Sequence, residues 1–168
     1  MKRFLGIATL AILVATTGYS QNLKFGHINS EELIQALPEF DSASVKIEQF
    51  RQELVNALEL MTVELNNKSD AYNKESKNLT DVVKQTKEQE LIDLNRRIQD
   101  FQTNAQTQLQ SKQVELFQPI YSKVDKAIKD VGKENGFTYV FDISNLLYFD
   151  ETKSTNITTL AKAKLGVK

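Results

Sequence analysis

The longest regular pattern in the chain is a spacing of three and four residues between apolar positions, which runs twice through residues 41–116. This spacing puts one residue per turn on one face of an α-helix. No proline or glycine interrupts the segment, and each apolar stripe is as narrow as a coiled-coil seam. The pattern therefore predicts two long helices that fold back on each other as an antiparallel coiled-coil hairpin, here called the arm. Its predicted seam consists of Phe50, Leu54, Leu58, Met61, Leu65, Leu94, Ile98, Phe101, Leu109 and Leu116.

The turn at the tip of the arm is marked less sharply. Beyond Leu65 the apolar stripe thins, and either Thr80 or Thr86 can cap the returning helix. We place the turn between residues 78 and 87, which pairs Leu58 with Leu109 across the seam. Nearer the tip it pairs Lys68, Ala71 and Tyr72 with Leu91 and Leu94. Because packing residues are dense near the root and sparse near the tip, we expect a firm proximal arm and a distal arm that frays.

The segments on either side of the arm, residues 21–40 and 117–168, predict a small head. Residues 23–28 are expected to form a strand, and Asn29 with Glu32 makes a capping box for a short helix. Pro38 ends that helix and opens the first arm helix.

After the arm, Pro119 is expected to kink or restart the helix, and Gly136 to end it. Residues 137–143 alternate, which predicts a strand, and a turn leads into a second strand at 146–150, so the two form a β-hairpin. Asn156 is expected to cap the last helix, and Gly166 to end it. The fold class is therefore α+β and mostly helical. A head this small, with open strand edges, commonly gains stability by joining strands from several copies.

The first 20 residues predict a secretory signal peptide. Lys2 and Arg3 precede an apolar run from Phe4 to Ala15, and small residues follow up to Ser20. The run is shorter than the roughly 20 residues that a membrane-spanning helix needs. We therefore expect cleavage after Ser20 and an exported, soluble mature chain. With no cysteine, a lipid anchor on such a residue is excluded.

Composition argues against several functions. Without Lys2 and Arg3, 19 basic residues stand against 22 acidic ones, a balance that disfavours nucleic acid as a partner. His27 is the only histidine, so neither the usual zinc ligand sets nor a supported serine nucleophile can be assembled. We expect no enzyme activity, no metal and no cofactor.

A glutamine-rich stretch of the returning helix has two interpretations. Between Ile98 and Gln113 only Asp100 and Lys112 are charged, and six residues are glutamine. The stretch is either an ordinary solvated face or a neutral polar surface that touches many partners without selecting by charge.

The order of these elements and several short segments resemble the Skp/OmpH family of periplasmic chaperones across the whole mature chain. The segments that carry the resemblance are FGHINS at 25–30, LPEF at 37–40, NGFTYVFD at 135–142, LYFD at 147–150 and NIT at 156–158.

This resemblance implies a homotrimer in the periplasm, with a β-barrel body formed by trimerisation and three helical-hairpin arms that hold unfolded outer-membrane proteins. Client contacts would be diffuse along the arms. The best-known members are strongly basic whereas this mature chain is slightly acidic, which leaves only weak contact with a membrane surface. The residues expected in the trimer head are Phe25, Ile28, Phe137, Tyr139, Phe141, Ile143 and Tyr148.

Two functions are therefore consistent with the sequence. One is an ATP-independent holdase chaperone, which would enclose unfolded barrel proteins by many weak contacts. The other is a structural coiled-coil or adaptor protein of the cell envelope, which would favour a seam continued along the whole arm and one specific partner.

Overall fold

A computed structural model of the chain describes residues 23–167, so the predicted signal peptide lies outside the described residues. The structure is mostly helical with one small sheet, as the sequence predicts. In chain order the elements are β1 (Phe25–Ile28), α1 (Ser30–Gln35), α2 (Pro38–Glu75), α3 (Asp81–Glu134), β2 (Tyr139–Asp142), β3 (Thr155–Asn156) and α4 (Thr158–Leu165).

The arm consists of α2 and the first part of α3, which pack against each other as the predicted hairpin. Helix α2 has 38 residues, a length of about 57 Å at ~1.5 Å per residue. A single 3₁₀ turn, Ser76–Asn78, lies at the tip, and α3 begins at Asp81 behind Thr80. The turn thus begins two residues before the predicted interval of 78–87 and ends within it.

Helix α3 continues through Pro119 without a break. Of the two predicted alternatives, a kink or a restart, the restart is therefore wrong. Proline has no N–H to donate to the carbonyl of Glu115, one turn earlier. Pro119 itself is exposed, which lets water reach this part of the helix surface and supply the missing partner. The expected boundary between arm and head, at residues 116 and 117, therefore falls inside one continuous helix.

The sheet has the strand order β2-β1-β3, and both outer strands run parallel to β1. The predicted β-hairpin is therefore wrong. Residues 146–150 form no strand, and the third strand is the two-residue β3. Parallel neighbours need a long crossover connection, and the arm is the crossover between β1 and β2. Alternation identified β2 but carried no information about its partner.

The boundary signals predicted at Asn29, Pro38, Gly136 and Gly166 are confirmed. The Oδ1 atom of Asn29 accepts from the backbone N–H of Glu32 at 3.1 Å, and Pro38 is the first residue of α2. Gly136 and Gly166 take φ angles of 67° and 76°, the left-handed region that glycine adopts without strain. Asn156 Oδ1 accepts from the N–H of Thr158 at 2.9 Å.

The core lies in the head, where α1, α4 and the C-terminal part of α3 cover one face of the sheet. Its most completely buried side chains are Ile28, Leu33, Leu37, Ile157 and Ala161, each at most 1 % exposed. One side of the sheet is thus covered by helices.

Candidate functional site

The face of the sheet opposite the helices carries three aromatic rings. Phe25 is paired with Tyr139 in the sheet, and His27 with Phe141, so these side chains point away from Ile28. The ring centroids of Phe25, Tyr139 and Phe141 lie 6.0–6.3 Å from one another, with the rings stacked. Tyr139 is 55 % and Phe141 41 % exposed. These three residues are called the aromatic face below.

A loop of apolar residues extends the aromatic face. Leu147 is 108 % and Tyr148 83 % exposed, so these two side chains make almost no packing contacts. Leu146 lines a small pocket of about 170 Å³ together with Phe25 and Phe141. The aromatic face thus adjoins this loop at Leu146, and exposed apolar surface of this kind usually marks an interaction site.

His27 lies beneath this surface and is buried at 7 % exposure. Its Nδ1 atom is 2.6 Å from Ser154 Oγ, and its ring centroid is 4.7 Å from that of Phe149. No carboxylate orients the ring in the described chain, as a hydrolytic triad would require. The contacts tie the segment before β3 to the central strand. Sequence reasoning missed this pairing because Ser154 and Phe149 lie far along the chain in an irregular segment.

Asp142 fixes the start of the apolar loop. It ends β2 and accepts hydrogen bonds from the hydroxyl groups of Ser30 and Ser144. Desolvation raises the pKa of Asp142, but the hydrogen bonds from Ser30 and Ser144 outweigh it, so the pKa lies below its ordinary value. The ionised carboxylate therefore connects β2 to the start of α1.

The residues predicted for a trimer head have different positions in the single chain. Phe25, Tyr139 and Phe141 form the aromatic face, and Tyr148 stands in the exposed loop. Ile28 belongs to the chain's own core. Phe137 precedes β2, packs against that core and lies beneath the ammonium of Lys24, 4.1 Å from the ring centroid. Ile143 is half-buried in a 3₁₀ turn.

At the root of the arm the two helices are joined by one aromatic pair and one ion pair. Phe40 and Phe117 have ring centroids 5.4 Å apart, and Lys123 Nζ donates to Glu39 Oε1 at 2.5 Å. The hydrogen bond from Lys123 lowers the pKa of Glu39. Pro119 lines a cavity of about 500 Å³ beside this ion pair.

Along the arm, the seam is closed in one place and open in another. Leu94 and Ile98 are buried, at 3 % and 7 % exposure. Nearer the root, a groove of about 490 Å³ opens between the helices. Its apolar lining includes Leu54, Val55, Leu58, Phe101, Ala105 and Leu109. The remaining predicted seam positions, Phe50, Met61, Leu65 and Leu116, are half-buried.

The predicted pairing register across the seam is wrong. Tyr72 was expected to meet Leu91 and Leu94, but its hydroxyl donates to Glu88. Lys68 Nζ lies 3.5 Å from Glu90 Oε2. The turn at Ser76–Thr80 lies earlier than assumed, which shifts every partner on α3 toward its N-terminus. Leu58 therefore shares its groove with Phe101 as well as with Leu109.

Two further classes of site are not found in the described part of the chain. Residues 23–167 contain no group of three or more histidine, cysteine, aspartate or glutamate side chains arranged to hold a metal ion. No helix among these residues is sufficiently long and apolar to span a bilayer.

Comparison with known proteins identifies the family. The model of the OmpH-like outer membrane protein family matches residues 24–165, nearly all of the described chain. The chain belongs to the OmpH-like family. A relative from Yersinia enterocolitica, named chaperone protein Skp, is 25 % identical over 167 residues, covering 98 % of this chain and 100 % of the relative. An uncharacterised protein of Aquifex aeolicus is 29 % identical over 153 residues, covering 90 % of this chain and 89 % of that one.

Solved structures agree on the fold. The crystal structure of a protein from Caulobacter crescentus CB15, described as an OmpH-like outer membrane chaperone, superposes with a TM-score of 0.73 at 12 % identity. The match covers 85 % of this chain and 83 % of that one. At this identity the superposition shows that the two chains share a fold.

Proposed function

We propose that this protein is an ATP-independent holdase chaperone of the periplasm that binds unfolded outer-membrane proteins and prevents their aggregation. The observation that carries the proposal is an arm about 57 Å long with few buried side chains, on a head whose aromatic face is uncovered. Membership of a family with a relative named chaperone protein Skp supports it.

The proposal includes a homotrimer assembled through the head. The sheet has two unpaired edges, at β2 and β3, and short open edges are commonly paired or covered. Three copies that join these strands into a barrel would cover the aromatic face. Their arms would then project together and enclose a space for a client. Residues 117–168 with 21–40 would form the trimer head, and residues 41–116 the arm.

Unfolded barrel proteins are the substrate class that such a space suits. Their strands alternate apolar and polar residues and pair with one another when exposed in water. An arm that offers many weak apolar contacts can keep such strands apart whatever their sequence. Release needs no nucleotide, because insertion and folding in the membrane are favourable.

The direct test is aggregation of a urea-unfolded outer-membrane barrel on dilution, followed by light scattering. We expect an equimolar amount of the assembled protein to suppress scattering. Unchanged scattering would refute the holdase function and leave the adaptor function as the alternative.

Assembly is tested separately by light scattering coupled to size exclusion. We expect the mass of three chains for the wild type and of one chain for Tyr139→Asp, because the substitution would bury a carboxylate among apolar rings. A monomeric wild type contradicts the trimer. A trimeric Tyr139→Asp variant contradicts the role of the aromatic face.

A further inference from the structure

The glutamines of α3 form a stripe on one face of the arm. Gln99, Gln102, Gln106, Gln110 and Gln113 follow one another in steps of three and four, so they share one face of the helix. All five are exposed. Gln108 breaks the spacing and lies off the stripe. These five residues are called the glutamine stripe.

The amides of the glutamine stripe have no protein partner. Within residues 23–167, none of the five side chains bonds to another protein group, whereas four of the seven other glutamines on the helices do. Those bond to side chains one turn away, and the pairs are Gln35 with Glu31, Gln52 with Asn56, Gln89 with Asp93 and Gln118 with Ser122. The stripe therefore presents free primary amides along about 21 Å of helix, at ~1.5 Å per residue.

The stripe borders the open part of the seam. Gln102 and Gln106 line the groove of about 490 Å³ together with Leu54, Leu58 and Ala105. An apolar floor thus adjoins a row of groups that can each donate and accept hydrogen bonds.

This surface is nearly free of charge. Arg51 is the only charged residue that lines the groove, and its guanidinium is paired with Glu48 at 2.5 Å. Lys112, farther along α3, is paired with Glu115 at 2.9 Å. A neutral surface complements a neutral occupant and offers little to an anionic lipid or an acidic peptide.

We propose that the groove and the glutamine stripe bind an extended backbone segment of an unfolded outer-membrane protein. Apolar side chains of the segment enter the groove, and the glutamine amides donate to its carbonyl groups and accept from its N–H groups. The stripe matches about six residues of extended chain at ~3.3 Å each. Because every residue except proline has the same backbone groups, this contact holds many sequences. The inference rests on the proposed holdase function and adds a defined client-binding surface to it.

A triple substitution tests the stripe in the full-length protein. Gln102, Gln106 and Gln110 are changed together to alanine, which removes the amides and favours the helix. The matched control changes Gln52, Gln89 and Gln108, which lie off the stripe, to alanine. Circular dichroism first establishes that both variants keep the helix content of the wild type.

Affinity is then measured by fluorescence anisotropy with a labelled, urea-unfolded outer-membrane barrel as the probe. We expect the stripe variant to bind roughly 5–10-fold more weakly than the wild type, as the loss of a few weak hydrogen bonds implies. The control should stay within about twofold, the scale of an exposed substitution. If the two variants bind with equal affinity and the wild type binds the probe, the inference is refuted and the holdase function stands. A wild type that does not bind the probe would refute both.

A second probe separates backbone recognition from a general loss of contact area. It is a strand peptide of alternating apolar and polar residues, used with and without N-methyl groups on alternate backbone amides. Methylation should weaken binding to the wild type by more than it weakens binding to the stripe variant. Equal weakening in both proteins would show that the glutamine amides do not bind the peptide backbone.

Discussion

The head and the arm are built from the same kinds of residue but bury them to different extents. In the head, Leu33, Ile157 and Ala161 are completely buried, because helices and sheet enclose them from several sides. In the arm, no residue of the described chain between Ser44 and Asp93 is buried. Two helices can cover only the facing side of each other, so every seam residue keeps an exposed flank. The head therefore has a closed core, and the arm has a surface on which apolar groups remain accessible.

The sharpest way to test this contrast is to make the same truncation in both regions. Leu33→Ala in the head should lower the free energy of unfolding by about 2–5 kcal/mol, the usual cost of a cavity at a fully buried leucine. Leu58→Ala in the arm should cost clearly less, since Leu58 already borders an open groove. Urea titration followed by circular dichroism measures both. Equal costs would contradict the contrast between core and arm.

Within the arm, truncating a side chain should cost more stability in the closed part of the seam than in the open part. Leu94→Ala should cost about 2–3 kcal/mol, toward the lower end for a buried leucine, because Leu94 is 3 % exposed. Amide hydrogen exchange should be slowest near residues 91–98 and faster at the tip around 76–84. The groove at Leu54 and Leu58 argues against the firm proximal arm that the sequence predicts. Slower exchange at residues 50–58 than at 91–98 would restore it.

Two buried glycines in the head differ in how tightly their surroundings are packed. A Cβ atom on Gly26 would lie 3.1 Å from Phe137 Cδ1, whereas one on Gly132 would lie 3.7 Å from Val140 Cγ2. Gly26→Ala should therefore destabilise the protein by about 1–2 kcal/mol through overpacking. Gly132→Ala should stabilise it by about 0.5–1 kcal/mol, because alanine favours the helix. Thermal unfolding of the two variants checks the difference, and equal shifts would contradict it.

The last comparison concerns Asp142, at the border between core and exposed loop. Its pKa is held below the ordinary value of 3.8. Its stabilisation is therefore complete above that value and is lost as pH falls through the lowered pKa of the folded state. Asp142→Asn should cost about 1 kcal/mol at pH 7. The difference from wild type should shrink when unfolding is measured at pH 3 and below. A difference that is constant with pH would show that the carboxylate charge has no part.

The sequence alone determined the elements whose causes are local. The seam spacing predicted two long helices because apolar residues on one face need a partner. Asn29, Pro38, Gly136 and Gly166 set their boundaries through backbone geometry that neighbouring residues do not change. The flanking segments also carried the resemblance to the family that the comparisons confirm.

The tertiary structure alone decided the features that depend on distant parts of the chain. Alternation in residues 139–142 is the same whether the strand pairs with a following strand or, as it does, with β1 across the arm. β3 has two residues, too few for a pattern, and exists because His27 O and the N–H of Ile157 meet at 3.0 Å. The arm register depended on a turn without glycine or proline. Pro119 stays inside α3 because Ile120, Val124 and Val131, which follow it, pack into the core of the head. No local rule weighs this packing against the hydrogen bond that proline cannot make.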